Sequence, residues 1–160
     1  MSEHRIAIEH YGLDPNGKET TPEEMAALAG STFPLSERVE GGAGEAFDFA
    51  SWYEAWRAGS GMGENEPFPT HLKVEAADSF EALIPWAQLE SAAFQFAMEG
   101  KPLGKGGPIR LYTPNGSSEC LNVKSVVVCR FLYEPAHADE VSFGFKSTFS
   151  PQEMLKSKKF

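Results

Sequence analysis

The sequence predicts an α+β fold with a mixed β core and helices packed around it. Short runs alternate at strand period, two helix starts carry capping signatures, and an apolar fraction of 41% is enough to bury a core. A length of 160 residues suits one hydrophobic core and is short for two domains of typical size. A single domain over 1–160 is expected, with 1–20 and 156–160 as poorly ordered peripheral segments.

Ile6-Ala7-Ile8 predicts a short edge strand, and Gly12, Asp14-Pro15 and Asn16-Gly17 make the next stretch turn-rich. In Thr21-Pro22-Glu23-Glu24 the threonine caps a helix, the proline fits its first position and Glu24 reaches back to the cap. That helix runs through Ala29 and ends at Gly30. Gly41-Gly42-Ala43-Gly44 lacks the lysine and hydroxyl of a phosphate loop and reads as a connection. Asp48 caps a second helix, which Gly59-Ser60-Gly61 ends. Its Trp52 and Trp56 are four residues apart and share a face, where burial explains them.

Residues 61–69 read as a surface crossing. Leu72-Lys73-Val74-Glu75 and then Phe80, Ala82 and Ile84 alternate as strands around a turn at Asp78-Ser79, with Pro85 as the stop. Leu89, Ala92, Ala93, Phe96 and Ala97 repeat at helical spacing, so 88–98 reads as a core helix leaving at Gly100. A compact turn over 101–108 leads into a strand at 109–113, and Asn115-Gly116 is a further turn signal. Residues 123–131 predict a central strand, with Lys124 and Arg130 sending polar ends to solvent. Val141 and Phe143 predict a further strand, and Ser150-Pro151-Gln152-Glu153 a short last helix.

A net charge of −9 gives a nonspecific nucleic-acid surface no electrostatic basis, and Lys156, Lys158 and Lys159 read as a solubilising run. No secretory signal and no membrane-spanning stretch is recognisable, which predicts a cytoplasmic protein without a membrane partner. Cys120 and Cys129 lie in strand-like sequence and read as reduced structural thiols. His4, His10, His71 and His137 lack zinc-motif spacing, and no nucleophile elbow or nucleotide fingerprint is present. Glu75, Glu81 and Glu99 read as solvent-facing charges.

One ordered set of segments resembles a known family. Leu72-Lys73-Val74-Glu75-Ala76-Ala77-Asp78-Ser79-Phe80-Glu81-Ala82-Leu83-Ile84-Pro85, then Phe96-Ala97-Met98-Glu99-Gly100-Lys101-Pro102-Leu103, then Gly106-Gly107-Pro108-Ile109-Arg110-Leu111-Tyr112-Thr113-Pro114 and, more loosely, Asn122-Val123-Lys124-Ser125-Val126 resemble the later half of the molybdopterin-binding oxidoreductase domain of the sulfite oxidase superfamily. The resemblance implies a reduced sulfite-oxidase-like fold. It implies that Arg110 contacts a phosphate or pterin and that Lys124 lies near the pterin surface; both also suit ordinary polar contacts. Lys101, Lys105, Gly106 and Gly107 complete the set of candidate ligand contacts, the glycines by allowing close backbone approach.

Active members of that family hold molybdenum through a cysteine in the earlier half of the domain, and this chain has none before Cys120. A soft thiolate is not replaced in that role by a nearby histidine. A noncatalytic, small-ligand-binding or structural relative without cofactor is therefore the expected function, with a small anionic ligand. Two alternatives stand beside it: an atypical molybdenum–molybdopterin oxidoreductase, and a homodimeric interaction module using a sheet edge or an aromatic patch near Trp52, Trp56 and Trp86.

Overall fold

The computed structural model describes residues 5–11, 18–61 and 65–145. In chain order these form β1 (Ile6–His10), β2 (Lys18–Thr20), α1 (Pro22–Ala29), β3 (Thr32–Pro34), β4 (Glu45–Asp48), α2 (Phe49–Gly59), β5 (His71–Ala76), β6 (Phe80–Pro85), β7 (Ala93–Met98), β8 (Lys101–Pro102), β9 (Ile109–Tyr112), β10 (Val123–Leu132) and β11 (Ser142–Phe145). Single 3-10 turns lie at Leu35–Glu37, Trp86–Leu89, Glu119–Leu121 and Pro135–His137.

The strands form one mixed sheet in the order β11-β6-β5-β10-β9-β7-β4-β3, with β1 and β2 branching from β10 and β8 from β7. β10 organises it. One edge of β10 pairs antiparallel with β5, while the other is shared between β9 near its start and β1, parallel, near its end. The order ends at β11 and β3, so among the described residues the path is open and is not a closed barrel. Predicted as an edge strand, β1 instead lies between β10 and β2, with Ile6 and Ile8 in the core.

The non-alternating apolar run in β10 has a local cause. Val123, Val126 and Cys129 are all buried although three residues apart, a spacing that would alternate faces in a regular strand. Register shifts against β9 between Val123 and Val126, and against β5 between Val126 and Val128, restore the inward direction each time.

Both helices start as expected. Thr21 Oγ1 accepts from the Glu24 amide at 3.2 Å, the Glu24 carboxylate accepts from the Thr21 amide at 3.1 Å, and Gly30 closes the helix in the left-handed region. The Asp48 carboxylate accepts from the Ser51 amide at 2.8 Å and from Arg38 Nη1 at 2.6 Å. Against the burial that would raise the pKa of Asp48, these bonds hold it below its ordinary value.

The predicted helix over 88–98 is not formed; Trp86–Leu89 is a 3-10 turn and Ala93–Met98 is strand β7. The reason is burial on both faces. Phe94 joins the main core, whereas Ala93 packs with Leu35, Ala46 and Tyr112 in a second small cluster, so both faces of the strand are buried and only Gln95 interrupts its apolar sequence. Cys120 likewise lies in a 3-10 turn and not a strand, and is exposed; Cys129 is buried, and both thiols are free. Arg130 is not simply solvated: its guanidinium meets Glu9 at 2.6 Å and Glu75 at 3.5 Å, and Lys73 meets Glu81 at 3.6 Å beside it. Glu75 and Glu81 thus belong to a charged sheet face and not to open solvent.

Trp52 is fully buried and Trp56 and Trp86 pack against the same core, so the aromatic patch considered for a partner lies largely inside the molecule. Among the described residues no helix is long and apolar enough to cross a membrane. The expected last helix and the 156–160 segment lie outside the described residues.

Candidate functional site

Two of the nominated residues, Arg110 on β9 and Lys124 on β10, line one cleft of ≈ 260 Å³. Asp78, Phe80, Asn122 and Phe145 complete its chemistry, together with Ala76 and Val123. The two rings form one wall, with centroids 5.1 Å apart and planes at 73°.

Each wall is set by local bonding. Asp78 Oδ1 accepts from the Phe80 amide at 3.1 Å and Ser79 takes φ 76°, which turns the chain from β5 into β6. Asn122 Oδ1 accepts from the Thr113 amide at 2.7 Å, tying the end of β9 to the start of β10. The glycine turn reaches the same place, because the Gly106 carbonyl accepts from the Ser125 amide at 2.9 Å. Gly107 is required by close approach: a Cβ there would stand 2.7 Å from the Leu103 carbonyl oxygen.

Gly106 and Gly107 thus support the cleft without lining it, and Lys105 is exposed on the same turn. Lys101 is elsewhere. It pairs with Met98 in the β7–β8 hairpin, beside a larger hollow of ≈ 440 Å³. That hollow is lined by Glu45 and Glu99 with no cationic side chain, so it does not suit an anion.

The smaller cleft sets two cations against one carboxylate on a chain whose net charge is −9. Arg110 Nε is buried without a hydrogen-bond partner, and its guanidinium lies 5.3 Å from the Tyr112 ring centroid. No family model, curated protein or solved structure matches the chain.

The donor set argues against a molybdenum centre in this cleft. Neither thiol lines it, and burial pushes the Cys129 thiol up to about 12, far from a thiolate ligand at neutral pH. Among the described residues no group of three or more His, Cys, Asp or Glu side chains is placed to hold a metal.

His10 takes part in a different arrangement that spacing did not reveal. Its Nδ1 lies 2.7 Å from the Tyr11 carbonyl, which only accepts, so Nδ1 carries the proton. Tyr53 then donates to Nε2 at 2.7 Å, and Arg57 Nη1 donates to the Tyr53 oxygen at 3.2 Å. Arg57 also donates to the Glu66 and Pro67 carbonyls and lies over Phe68, fastening the crossing to α2. Burial raises the Tyr53 pKa to about 12, which keeps the phenol a donor.

Burial lowers the His10 pKa from 6.5; the Tyr11 carbonyl opposes this and the Arg57 charge adds to it. As pH falls, the unfolded chain therefore takes up this proton first. The contribution of neutral His10 to stability is full above 6.5 and is lost as pH descends from 6.5 toward the lower folded value. Between about pH 8 and about pH 5 the unfolding midpoint of the wild type is expected to fall more steeply than that of His10→Gln. Parallel curves in thermal unfolding monitored by circular dichroism would contradict this.

Asp78, Phe80, Asn122 and Phe145 are not among the candidate ligand contacts expected from the sequence. Phe80 and Phe145 meet through the pairing of β6 with β11, a contact between segments about sixty residues apart that no local pattern announces. Asp78 was legible as a turn residue only, and Asn122 offered just its nearness to Lys124.

Proposed function

We propose that this chain is a noncatalytic, small-ligand-binding relative of the molybdopterin-binding domain of the sulfite oxidase superfamily, and that the Arg110–Lys124 cleft receives a small anionic ligand. One observation carries the reading. Residues nominated on two separate strands line a locally cationic cleft of an acidic chain, with a buried guanidinium N–H lacking an acceptor. A ligand oxygen at the exposed edge of the Arg110 guanidinium would form charge-assisted hydrogen bonds, worth about 1.5–3 kcal/mol each. The rings of Phe80 and Phe145 favour a ligand whose remaining part is planar and apolar.

Phenyl phosphate combines both features and serves as a probe. Titration followed by backbone amide shifts is expected to saturate, with the changes centred on 78–80, 110 and 122–124. Arg110→Met and Lys124→Met should each weaken binding about tenfold or more, the usual loss for a charge-assisted hydrogen bond. Non-saturating shifts, or affinity indifferent to both substitutions, would remove the binding assignment. The noncatalytic assignment has its own test: stoichiometric molybdenum and pterin in protein produced with the cofactor pathway intact would overturn it.

A further inference from the structure

Ser125 lies beside the cleft without lining it, and its backbone is unusual: φ is 56°, in the left-handed region that serine seldom occupies. The residue is an intersection. Its amide donates to the Gly106 carbonyl at 2.9 Å, and its carbonyl accepts from the Ala77 amide at 2.9 Å. One bond reaches the glycine turn, and the other reaches the turn that carries Asp78 and Phe80.

The left-handed residue also falls where β10 loses register with β9, between Val123 and Val126. In an unbroken strand Val123 and Val126 face opposite ways, and placing both in the core would be impossible. The bulge lets both point inward while Lys124 between them stays exposed at the cleft. Strained backbone persists where the surroundings over-determine it, and here two hydrogen bonds and two buried valines do so.

We infer that Ser125 is a positioning residue for the anion site, its left-handed bulge aiming Lys124 into the cleft and clamping both rims. This rests on the binding reading above. Arg110 belongs to β9 and is aimed without the bulge, so the two cations respond differently when the bulge is altered.

The test is a coupling measurement with phenyl phosphate. In the wild type, Lys124→Met is expected to weaken affinity about tenfold. Valine cannot adopt this backbone without strain, and in a Ser125→Val background the same Lys124→Met change should cost no more than about twofold, while the Arg110→Met loss persists. Ser125→Gly tolerates positive φ and should keep the full Lys124 increment. If Ser125→Val does not fold, Ser125→Ala repeats the comparison with less steric strain. A Ser125→Val or Ser125→Ala variant that unfolds at lower temperature yet retains the tenfold Lys124 increment would assign Ser125 a purely structural role and overturn the inference. Failure of phenyl phosphate to bind the wild type would instead remove the cleft reading, and this inference with it.

Discussion

Phe131→Ala is expected to lower stability by about 3–5 kcal/mol, the range for removing a buried aromatic ring. Phe131 is fully buried on β10, where its register partners are His10 of β1 and Leu72 of β5. Its ring centroid lies 4.8 Å from that of Tyr53, 5.4 Å from His10, 6.1 Å from Trp52 and 6.1 Å from Trp86. The substitution thus opens a cavity where helix α2 meets the long strand, and the surrounding large rings cannot all collapse into it. Each lost ring contact adds about 0.5–1.5 kcal/mol beyond area burial, so the upper part of the range is expected. Phe145→Ala is the matched control. Phe145 is 42% exposed on β11, and its removal should cost less than about 1 kcal/mol. Urea unfolding should show the Phe131→Ala midpoint moved far down at an unchanged slope, and near-equal midpoints for the two variants would contradict the expected cost of removing this buried ring.

An element is legible in the sequence when its signal is local. Thr21 and Glu24 bond each other within one helical turn, Gly30 bonds back to Ala27 three residues away, and Asp48 acts on an amide three residues on; both helices are therefore legible. The strands β5 and β6 have one face in the core and alternate over 72–76 and 81–84, and the turn between them carries its own Asx bond. β7 failed because a second cluster covers its other face, and double-sided burial erases the period that separates strand from helix. The strand at β1 is legible but its interior position is not, because two isoleucines in a short run say nothing of what pairs with them, and its partner β10 lies more than a hundred residues on. The site divides the same way. Arg110 and Lys124 were nominated through resemblance, while the aromatic wall depends on β11 returning to β6. Lys101 was nominated with them and falls on another hairpin, because adjacency to a glycine turn in sequence does not fix which side of the sheet edge it serves.

Gly44→Ala should be the most damaging change available in the Gly41-Gly42-Ala43-Gly44 loop. Gly44 has φ 80°, and a Cβ there would stand 2.4 Å from the Ala97 carbonyl oxygen, a backbone atom that cannot swing aside. The Gln95 amide nitrogen, 3.1 Å from the same point, is held by its own bond to the Ala43 carbonyl at 2.7 Å. Gly44 also precedes a register shift between β4 and β7, and its carbonyl accepts from the Leu35 amide at 2.9 Å. Relief of the overlap must therefore pull β4 from β7 or lift Leu35 out of the second cluster. The left-handed backbone alone costs a non-glycine residue about 1–2 kcal/mol, and overpacking adds about 1–3 kcal/mol, so a total of roughly 2–5 kcal/mol is expected. Gly41→Ala separates the two contributions: Gly41 has φ 77°, but a Cβ there meets nothing within 4 Å. It should cost about 1–2 kcal/mol, from conformation alone. Chemical unfolding of the two variants side by side decides the matter. An equal loss at both positions would mean that backbone conformation alone governs the loop; a clearly larger loss at Gly44 would locate the requirement in the close approach of β4 to β7.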